Sequence, residues 1–201
     1  MTSEGMDGEG FGPVDVLVIG DSVPAGERTT ATRWPDRLPD LVAGPSVGNV
    51  TVRAGMGETL ASIGERAAAG TLAADADIVL LHAGHNDAQT SDERPRVPID
   101  EFRAAARAVD RTLDTAADRH AFVGLVPLLA LDRPGSVPFG DDQPERSLRY
   151  DDVLGETVGT HVPVDRPVDD WPTRTEDGVH PNDAGHGYVA GRVATWIETG
   201  P

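Results

Sequence analysis

The sequence predicts an α/β fold, in the form of a three-layer α/β/α sandwich around a mostly five-stranded parallel sheet. One observation behind this prediction is that apolar, β-branched runs recur along the chain and stop at glycine or polar residues, as strands buried on both faces do. The other is that segments with helical spacing of their apolar residues separate these runs. The 201 residues contain no recognisable linker or repeat, so we predict one domain over residues 14–201.

Five segments have the composition of strands. The first ends at Gly20 after four apolar residues, and the third is strongly apolar throughout. Runs of this kind are typical of the central strands of a parallel sheet. The predicted strands are residues 16–19, 49–53, 77–83, 120–126 and 161–164.

Five further segments are predicted as helices. The clearest lies between the third and fourth strands, where Phe102, Val109 and Leu113 recur at helical spacing. Glycine marks some of the helix ends, as Gly70 does after the second helix. The predicted helices are residues 34–43, 60–69, 99–118, 145–158 and 181–198.

The charge of the chain is strongly negative, and its positive side chains are all arginine. Asp and Glu number 34 against 17 arginines and no lysine, which gives a formal net charge of -17. Such a surface repels nucleic acid and anionic membranes, so neither is expected as a partner. An acidic, lysine-free composition resembles the proteins of salt-loving organisms, and a GC-rich genome that favours arginine over lysine is the alternative explanation. Without cysteine, disulfides and cysteine-ligated zinc are excluded.

The sequence contains neither a recognisable membrane span nor an export signal. No apolar run approaches the roughly 20 residues that cross a bilayer. The first residues lack the basic start and the apolar segment of a secretory signal. Residues 1–13 are acidic and glycine-rich, and we predict a disordered tail there. A cytoplasmic location is the default expectation, and the sequence indicates no particular oligomeric state.

Several polar residues suited to acyl transfer follow predicted strands or precede the last helix. Ser22 follows the first strand, and the connections at the carboxyl ends of parallel strands open on one edge of the sheet, where ligands bind. A serine nucleophile needs a base, and a histidine base needs an acceptor on its second nitrogen. His180 and Asp177, three residues apart, can supply both. Because Asp and Ser are also common turn and cap residues, the interpretation depends on these segments meeting at one edge.

A developing oxyanion also needs hydrogen-bond donors. The candidates are the backbone N–H of Ser22, a glycine N–H from the segment after the second strand, and the side-chain amide of Asn86 after the third strand. All three would lie at the same sheet edge as the proposed nucleophile.

These segments resemble the four sequence blocks of the SGNH, or GDSL-type, hydrolase family. The matching residues occur in the family's order: GDS at 20–22, the glycine of MGET at 57, GHND at 84–87 and DGVHP at 177–181. The resemblance spans about residues 14–197, and Trp34-Pro35 resembles the lysophospholipase and thioesterase branch. It implies the flavodoxin-like SGNH hydrolase fold with Ser22 as nucleophile, His180 as base, Asp177 as orienting acid, and an oxyanion hole formed by Ser22, Gly57 and Asn86.

Two positions depart from the family pattern. Arg53-Ala54 stands where an asparagine usually precedes the glycine of the second block, which leaves Gly55 as an alternative donor to Gly57. His85 stands where many members have a small residue, and it either lines the pocket or is exposed.

The resemblance implies a serine hydrolase that needs no cofactor and cleaves a small-molecule carboxylic ester through an acyl-serine intermediate. Few aromatic residues and no long apolar lid favour a short acyl or acetyl chain. Acyl-thioesterase and lysophospholipase activities are alternatives, and acyl transfer to an acceptor other than water would use the same residues. A catalytically silent binding module is the alternative of another class.

The irregular stretch 128–144 is the predicted pocket wall, because loops of this length are often functional. Arg133 or Arg146 could hold an anionic part of a substrate, although most surface arginines are simply solvated. The predicted pocket residues are Asp21, His85, Leu128, Leu129 and Phe139.

Two other types of site match less well. Residues 55–60 half match a dinucleotide fingerprint, but Leu60 replaces its third glycine. The histidine pairs 82/85 and 180/186 lack the carboxylate and helix context of a zinc protease motif. We therefore expect neither a nucleotide nor a metal.

Overall fold

The structure is a computed structural model that describes residues 12–44, 46–91 and 94–200. Residues 1–11 of the predicted disordered tail lie outside the described residues.

The described residues form seven strands, in chain order β1 (Val14–Gly20), β2 (Val47–Ala54), β3 (Ile78–His82), β4 (Thr90–Ser91), β5 (Arg94–Pro95), β6 (Arg119–Val123) and β7 (His161–Val162). Five of them make one parallel sheet in the order β2-β1-β3-β6-β7. Counted within the sheet, this order is 2-1-3-4-5, the flavodoxin-like arrangement. The predicted fold class is confirmed. β4 and β5 form a short antiparallel pair in a segment where the sequence predicted no strand.

The helices of the described residues include all five predicted ones, with ends that differ by a few residues. They are α1 (Ser22–Ala25), α2 (Leu38–Leu41), α3 (Leu60–Ala68), α4 (His85–Ala88), α5 (Ile99–Ala116), α6 (Gln143–Thr157) and α7 (Asp183–Thr199), with 3-10 turns at Trp34–Arg37 and Val168–Thr173. In the part of the chain that the structure describes, none of these helices has the length and apolarity needed to cross a membrane.

The central strands are buried on both faces because their side chains alternate between two helical layers. In β1, Leu17 and Ile19 belong to the core that includes residues of α3, α5 and α6. Val16 and Val18 belong to the opposite core, which includes residues of α2 and α7. The alternation explains why the sequence of β1 is apolar throughout, and it places a rigid strand directly before Ser22.

The fourth strand of the sheet, β6, is shorter than predicted. It ends at Val123, whereas the apolar run continues to Val126. The Gly124 N–H still donates to the Val162 carbonyl of β7 at 2.9 Å, but the next two N–H groups have side-chain acceptors: Leu125 N–H donates to Asp151 Oδ1 at 2.7 Å and Val126 N–H to His85 Nε2 at 3.0 Å. The run remains buried although it leaves the sheet, so apolarity alone could not mark the end of the strand.

Two one-turn helices, α1 and α4, lie where the sequence predicted no helix. In α1, the Asp21 carboxylate accepts a hydrogen bond from the Val23 N–H at 3.0 Å, and Gly26 ends the helix in the left-handed conformation, with φ 76°. Segments this short contain too few residues to show helical periodicity. They matter because each begins with a residue of the candidate site or one directly beside it.

The contact between α3 and α5 leaves no space for a side chain at Gly64. A Cβ there would lie 2.7 Å from the Cβ of Ala105 and 2.8 Å from its Cα. We expect Gly64→Ala to lower the free energy of unfolding by about 1–3 kcal/mol, because the two helices would have to move apart. Denaturant-induced unfolding in molar KCl measures this change.

Gly191 in α7 is the matched control, since a Cβ there meets nothing within 4 Å. Gly191→Ala should leave the free energy of unfolding unchanged or raise it by up to about 1 kcal/mol, the gain in helix propensity. Equal losses in the two variants would contradict the close approach at Gly64.

Candidate active site

The candidate site lies at the carboxyl edge of the sheet, as predicted for an open parallel sheet. Ser22 follows β1, Gly57 follows β2 and Asn86 follows β3. His180 lies in the connection that leads to α7 and is brought to Ser22 across 158 residues of sequence.

Ser22, His180 and Asp177 form a continuous chain of hydrogen-bonding atoms. Ser22 Oγ lies 3.1 Å from His180 Nε2, and His180 Nδ1 lies 2.9 Å from Asp177 Oδ2. Because the carboxylate can only accept, Nδ1 carries the proton and Nε2 is left to accept the serine hydroxyl proton. All three side chains are buried, with 5–7 % of each residue exposed.

The carboxylate of Asp177 is stabilised in its charged form. Burial would raise its pKa, but hydrogen bonds from the His180 ring and from the backbone N–H groups of His180 and Val179 outweigh burial and lower the pKa well below its usual range. A permanently charged acceptor beside Nδ1 fixes the imidazole tautomer and can stabilise an imidazolium.

The loop that carries Asp177 and His180 is braced by the irregular stretch before α6. The guanidinium of Arg133 donates to the backbone carbonyl oxygens of Thr175 at 2.5 Å and Glu176 at 2.9 Å. Gly178 adopts the left-handed conformation, with φ 94°, and its carbonyl accepts the Leu129 N–H at 2.8 Å. The Arg133 guanidinium, considered as a possible partner for an anionic part of a substrate, is thus engaged by backbone carbonyl groups. Arg146 contacts Asp142 and Thr90 and does not line the cavity beside Ser22.

The geometry distinguishes between the two glycines that follow β2. The Gly55 N–H donates to the Gly20 carbonyl at 3.2 Å and is not available to a ligand. Gly57, in the left-handed conformation with φ 79°, has no acceptor for its N–H among the described residues and borders the same cavity as Ser22.

The side-chain amide of Asn86 is held at both ends. Its Nδ2 donates to the Glu58 carbonyl at 2.9 Å, and its Oδ1 accepts from Arg96 Nη1 at 2.9 Å. An amide nitrogen has two hydrogens, so one remains for a ligand in the cavity. Arg96 was not among the predicted site residues, because nothing in its local sequence relates it to Asn86 ten positions earlier.

A cavity of about 290 Å³, which we call the Ser22 cavity, opens over these groups. Ser22, His180, Gly57 and Asn86 all line it. The remaining lining residues are Arg28, Met56, Gln89, Arg96, Val137 and Val179.

The predicted pocket residues from the stretch 128–144 do not line the Ser22 cavity. Leu128 and Leu129 are almost fully buried in the two cores, and Phe139 packs against the core that contains Leu128. Burial of an apolar side chain in the core is more favourable than exposure in a polar cavity. The stretch does contribute one residue to the wall, Val137.

Asp21 and His85, also predicted as pocket residues, instead form a buried brace behind Ser22. They are 0 % and 1 % exposed. His85 Nε2 accepts the Val126 N–H, so its Nδ1 carries the proton that is donated to Asp21 Oδ2 at 2.7 Å. Burial would raise the pKa of Asp21, but the hydrogen bond from the His85 ring helps to lower it. The brace joins the ends of β1, β3 and β6, and neither alternative considered for His85, pocket wall or exposed residue, is correct.

Asp87, the last residue of the GHND block, was given no role of its own in the sequence analysis, and in the structure it is a structural residue. Its carboxylate accepts the N–H groups of Leu60 at 2.8 Å and Ala61 at 3.1 Å, and so caps α3 from the end of β3. Burial raises its pKa to about 6. The contact ties the segment of Asn86 to the segment of Gly57.

Trp34 holds two buried histidines on the other side of the sheet. Its indole N–H donates to His82 Nδ1 at 3.1 Å, and its backbone N–H to His186 Nδ1 at 3.2 Å. Both imidazoles are therefore neutral, with the proton on Nε2. Burial lowers the pKa of His82 to about 3 and that of His186 to about 4. In the described part of the chain, no group of three or more histidine or acidic side chains is arranged to hold a metal ion.

Known proteins share this sequence pattern and this fold. The model of the GDSL-like lipase/acylhydrolase family matches residues 18–188. A catalytic mutant of Axe2, an acetylxylan esterase from Geobacillus stearothermophilus, is 18 % identical with a TM-score of 0.70, over 95 % of this chain and 96 % of the esterase. LAE5, an α/β hydrolase enzyme from the metagenome of Lake Arreo in Spain, is also 18 % identical with a TM-score of 0.70, over 94 % of this chain and 97 % of that one. No curated protein sequence matches the chain.

The buried His186 predicts a loss of stability in acid. Its pKa is about 4 in the folded protein against an ordinary 6.5. Between these values the unfolded chain binds a proton that the folded protein does not, so the free energy of unfolding falls as the pH falls through this window. The contribution of His186 should amount to about 1–3 kcal/mol.

The variant His186→Asn isolates this contribution, because its side-chain oxygen can still accept the Trp34 N–H but does not titrate. Denaturant unfolding of both proteins between pH 7 and pH 4.5 should show the smaller loss in the variant. The comparison is needed because Asp87, with its raised pKa, has the opposite effect and favours the folded protein as the pH falls towards 4. Parallel profiles of the two proteins would contradict the prediction.

Proposed function

The chain belongs to the GDSL-like lipase/acylhydrolase family, and from that premise we propose that it cleaves short-chain carboxylic esters through an acyl-serine intermediate. It is an ester-hydrolysing enzyme. The observation that carries the proposal is the 3.1 Å approach of Ser22 Oγ to His180 Nε2, with Asp177 on the other ring nitrogen.

In the first step His180 Nε2 takes the proton of Ser22 as Oγ attacks the carbonyl carbon of the ester. The charged carboxylate of Asp177 stabilises the imidazolium that forms. His180 then gives its proton to the oxygen of the departing alcohol, which leaves the acyl group on Ser22. In the second half His180 takes a proton from water, the resulting hydroxide attacks the acyl-serine, and the proton returns to Ser22 as the acid departs.

We assign the oxyanion hole to the backbone N–H groups of Ser22 and Gly57 and to the amide of Asn86. The available Gly57 N–H and the doubly held amide of Asn86 support this assignment. Donors that are already fixed before the reaction need no reorganisation as charge develops on the carbonyl oxygen.

The Ser22 cavity supports a short acyl chain, with an acetyl ester as the main expectation. Its volume of about 290 Å³ is small, and its apolar lining is limited to Met56, Val137 and Val179. A long acyl chain, as in a lysophospholipase or long-chain thioesterase, would need an extended apolar surface. The name of Axe2, an acetylxylan esterase, is consistent with this proposal.

We expect Ser22→Ala and His180→Ala each to lower kcat for ester hydrolysis by at least about a thousandfold, because each variant lacks either the nucleophile or its base. The measurement is hydrolysis of p-nitrophenyl esters of increasing chain length in molar KCl, with the highest rate at the shortest chains.

His120→Ala is the matched control. His120 forms another histidine–aspartate pair, with Asp110 at 2.9 Å, but neither residue lines the Ser22 cavity. This control should retain the wild-type rate. Undiminished hydrolysis in the Ser22 variant would overturn the mechanism. An optimum at long acyl chains would favour the lipid or thioester alternative. A wild-type protein that is folded but inactive would favour a binding module.

We further propose that the protein works in a highly saline cytoplasm, which the net charge of -17 and the absence of lysine support. At low salt the like charges repel one another across the surface, whereas at 1 M salt the Debye length falls to about 3 Å and the repulsion is screened.

Stability and activity should therefore rise together from dilute buffer to molar KCl. Thermal unfolding and p-nitrophenyl acetate hydrolysis across a KCl series measure this, with sucrose as an uncharged additive that does not screen. Full stability and activity in dilute buffer would refute the saline setting.

A further inference from the structure

The charge of the Ser22 cavity is opposite to that of the molecule. The chain has twice as many acidic as basic side chains, yet neither Asp nor Glu lines this cavity among the described residues. Its charged lining residues are Arg28 and Arg96. Two guanidinium groups in the lining of this cavity favour the binding of negatively charged ligands, although the protein as a whole is acidic.

Arg28 lies on the side of the cavity where the base and its acid meet. Its Nη1 is 3.6 Å from Asp177 Oδ2, close enough for attraction but too long for a hydrogen bond. The side chain is 57 % exposed, so its N–H groups remain available to a ligand. An arginine offers five N–H donors in a planar fork that fits the oxygens of a carboxylate, sulfate or phosphate.

The backbone of Arg28 supports a specific placement of this side chain. It has φ 55°, and it is the one residue other than glycine in the left-handed region among those that the structure describes. Residues that carry a Cβ rarely adopt this conformation, and such exceptions cluster at functional sites. The segment immediately after α1 thus directs an arginine towards the reacting groups.

Arg96 contributes a second positive charge on the oxyanion side. One of its N–H groups donates to Asn86 Oδ1 at 2.9 Å, and the other four have no hydrogen-bond acceptor among the described residues. The same contact fixes the Asn86 amide, so Arg96 also acts as a positioning residue for a proposed oxyanion donor.

We propose that the natural substrate is an ester whose alcohol part carries a negatively charged group, such as a carboxylate, sulfate or phosphate, which Arg28 binds. The assignment to the alcohol part follows from the proposed mechanism, on which this inference rests: His180 protonates the departing alcohol, and Arg28 lies beside the His180–Asp177 pair. An anionic acyl part would lie instead on the side opposite the leaving group.

The test compares esters that differ only in charge. The alcohol-side pair is 3-acetoxybenzoate and the neutral 3-acetoxybenzamide, and the acyl-side pair is the mono-4-nitrophenyl ester of adipic acid and its neutral primary amide. Wild-type kcat/KM should be roughly tenfold higher for 3-acetoxybenzoate than for the benzamide, the selectivity of a partly exposed bidentate ion pair. The acyl-side pair should show no preference for the anion.

In Arg28→Gln the ratio between the two alcohol-side esters should fall to about one. Because both esters depend equally on Ser22, His180 and Asp177, the ratio cancels any general loss of activity in the variant. Arg107→Gln is the matched control, since it removes one exposed arginine of α5 that does not line the Ser22 cavity. This control should keep the wild-type ratio.

Three outcomes would overturn the inference and leave the esterase proposal intact. They are a wild-type ratio of about one, a ratio that Arg28→Gln does not change, and a preference for the anion confined to the acyl-side pair. If the folded protein hydrolysed none of the four esters, the proposed function itself would fail, and the inference with it.

Discussion

The hydrogen-bonded contact between Ser22 and His180 is the constraint on which the rest of the site depends. It joins the first strand of the chain to the segment before the last helix, and 3.1 Å between Oγ and Nε2 leaves little tolerance for movement of either. Ser22 is placed by a strand that is buried on both faces. His180 lies on a loop, and Arg133 and Leu129 donate hydrogen bonds to the backbone carbonyl groups of that loop. The longest irregular stretch of the chain therefore acts mainly as a support for the histidine rather than as a wall for the substrate.

A second set of contacts holds the strand ends in register around the site. Asp21 and His85 join the ends of β1, β3 and β6, and Asp87 ties the end of β3 to the start of α3. These polar groups are buried, and burying them without partners would cost several kcal/mol each. They are tolerated because each has specific partners. Asp21 and His85 bond to each other, and the other partners are the backbone N–H groups of Val23, Leu60, Ala61 and Val126. Rigidity of the site and burial of charge are thus two results of the same contacts.

The arrangement also separates the electrostatics of the site from those of the surface. The protein as a whole has a net charge of -17, so its field repels anions at a distance. Among the described residues that line the Ser22 cavity, the charged side chains are arginines, and the Asp177 carboxylate beside Arg28 is engaged by the His180 ring and by backbone N–H groups. An anionic substrate would meet repulsion at a distance and attraction on contact. High salt screens the long-range repulsion more than the attraction on contact, because the charges of a contact pair lie within the Debye length of each other.

The sequence by itself determined the fold class and the identity of the groups that meet at the sheet edge. Apolar runs that alternate with helical segments specify a parallel sheet, and a parallel sheet brings the ends of its strands to one edge. Ser22, Asn86 and His180 could therefore be placed together without coordinates.

The tertiary structure alone decided what fills the space around them. Leu128 and Leu129 lie in the two cores, and Asp21 and His85 are buried behind Ser22. Arg28 and Arg96 line the cavity. The spacing of apolar residues indicates the period of a helix or a strand. The direction in which a loop side chain points depends instead on contacts with residues far away in the sequence, and those contacts exist only in the folded protein.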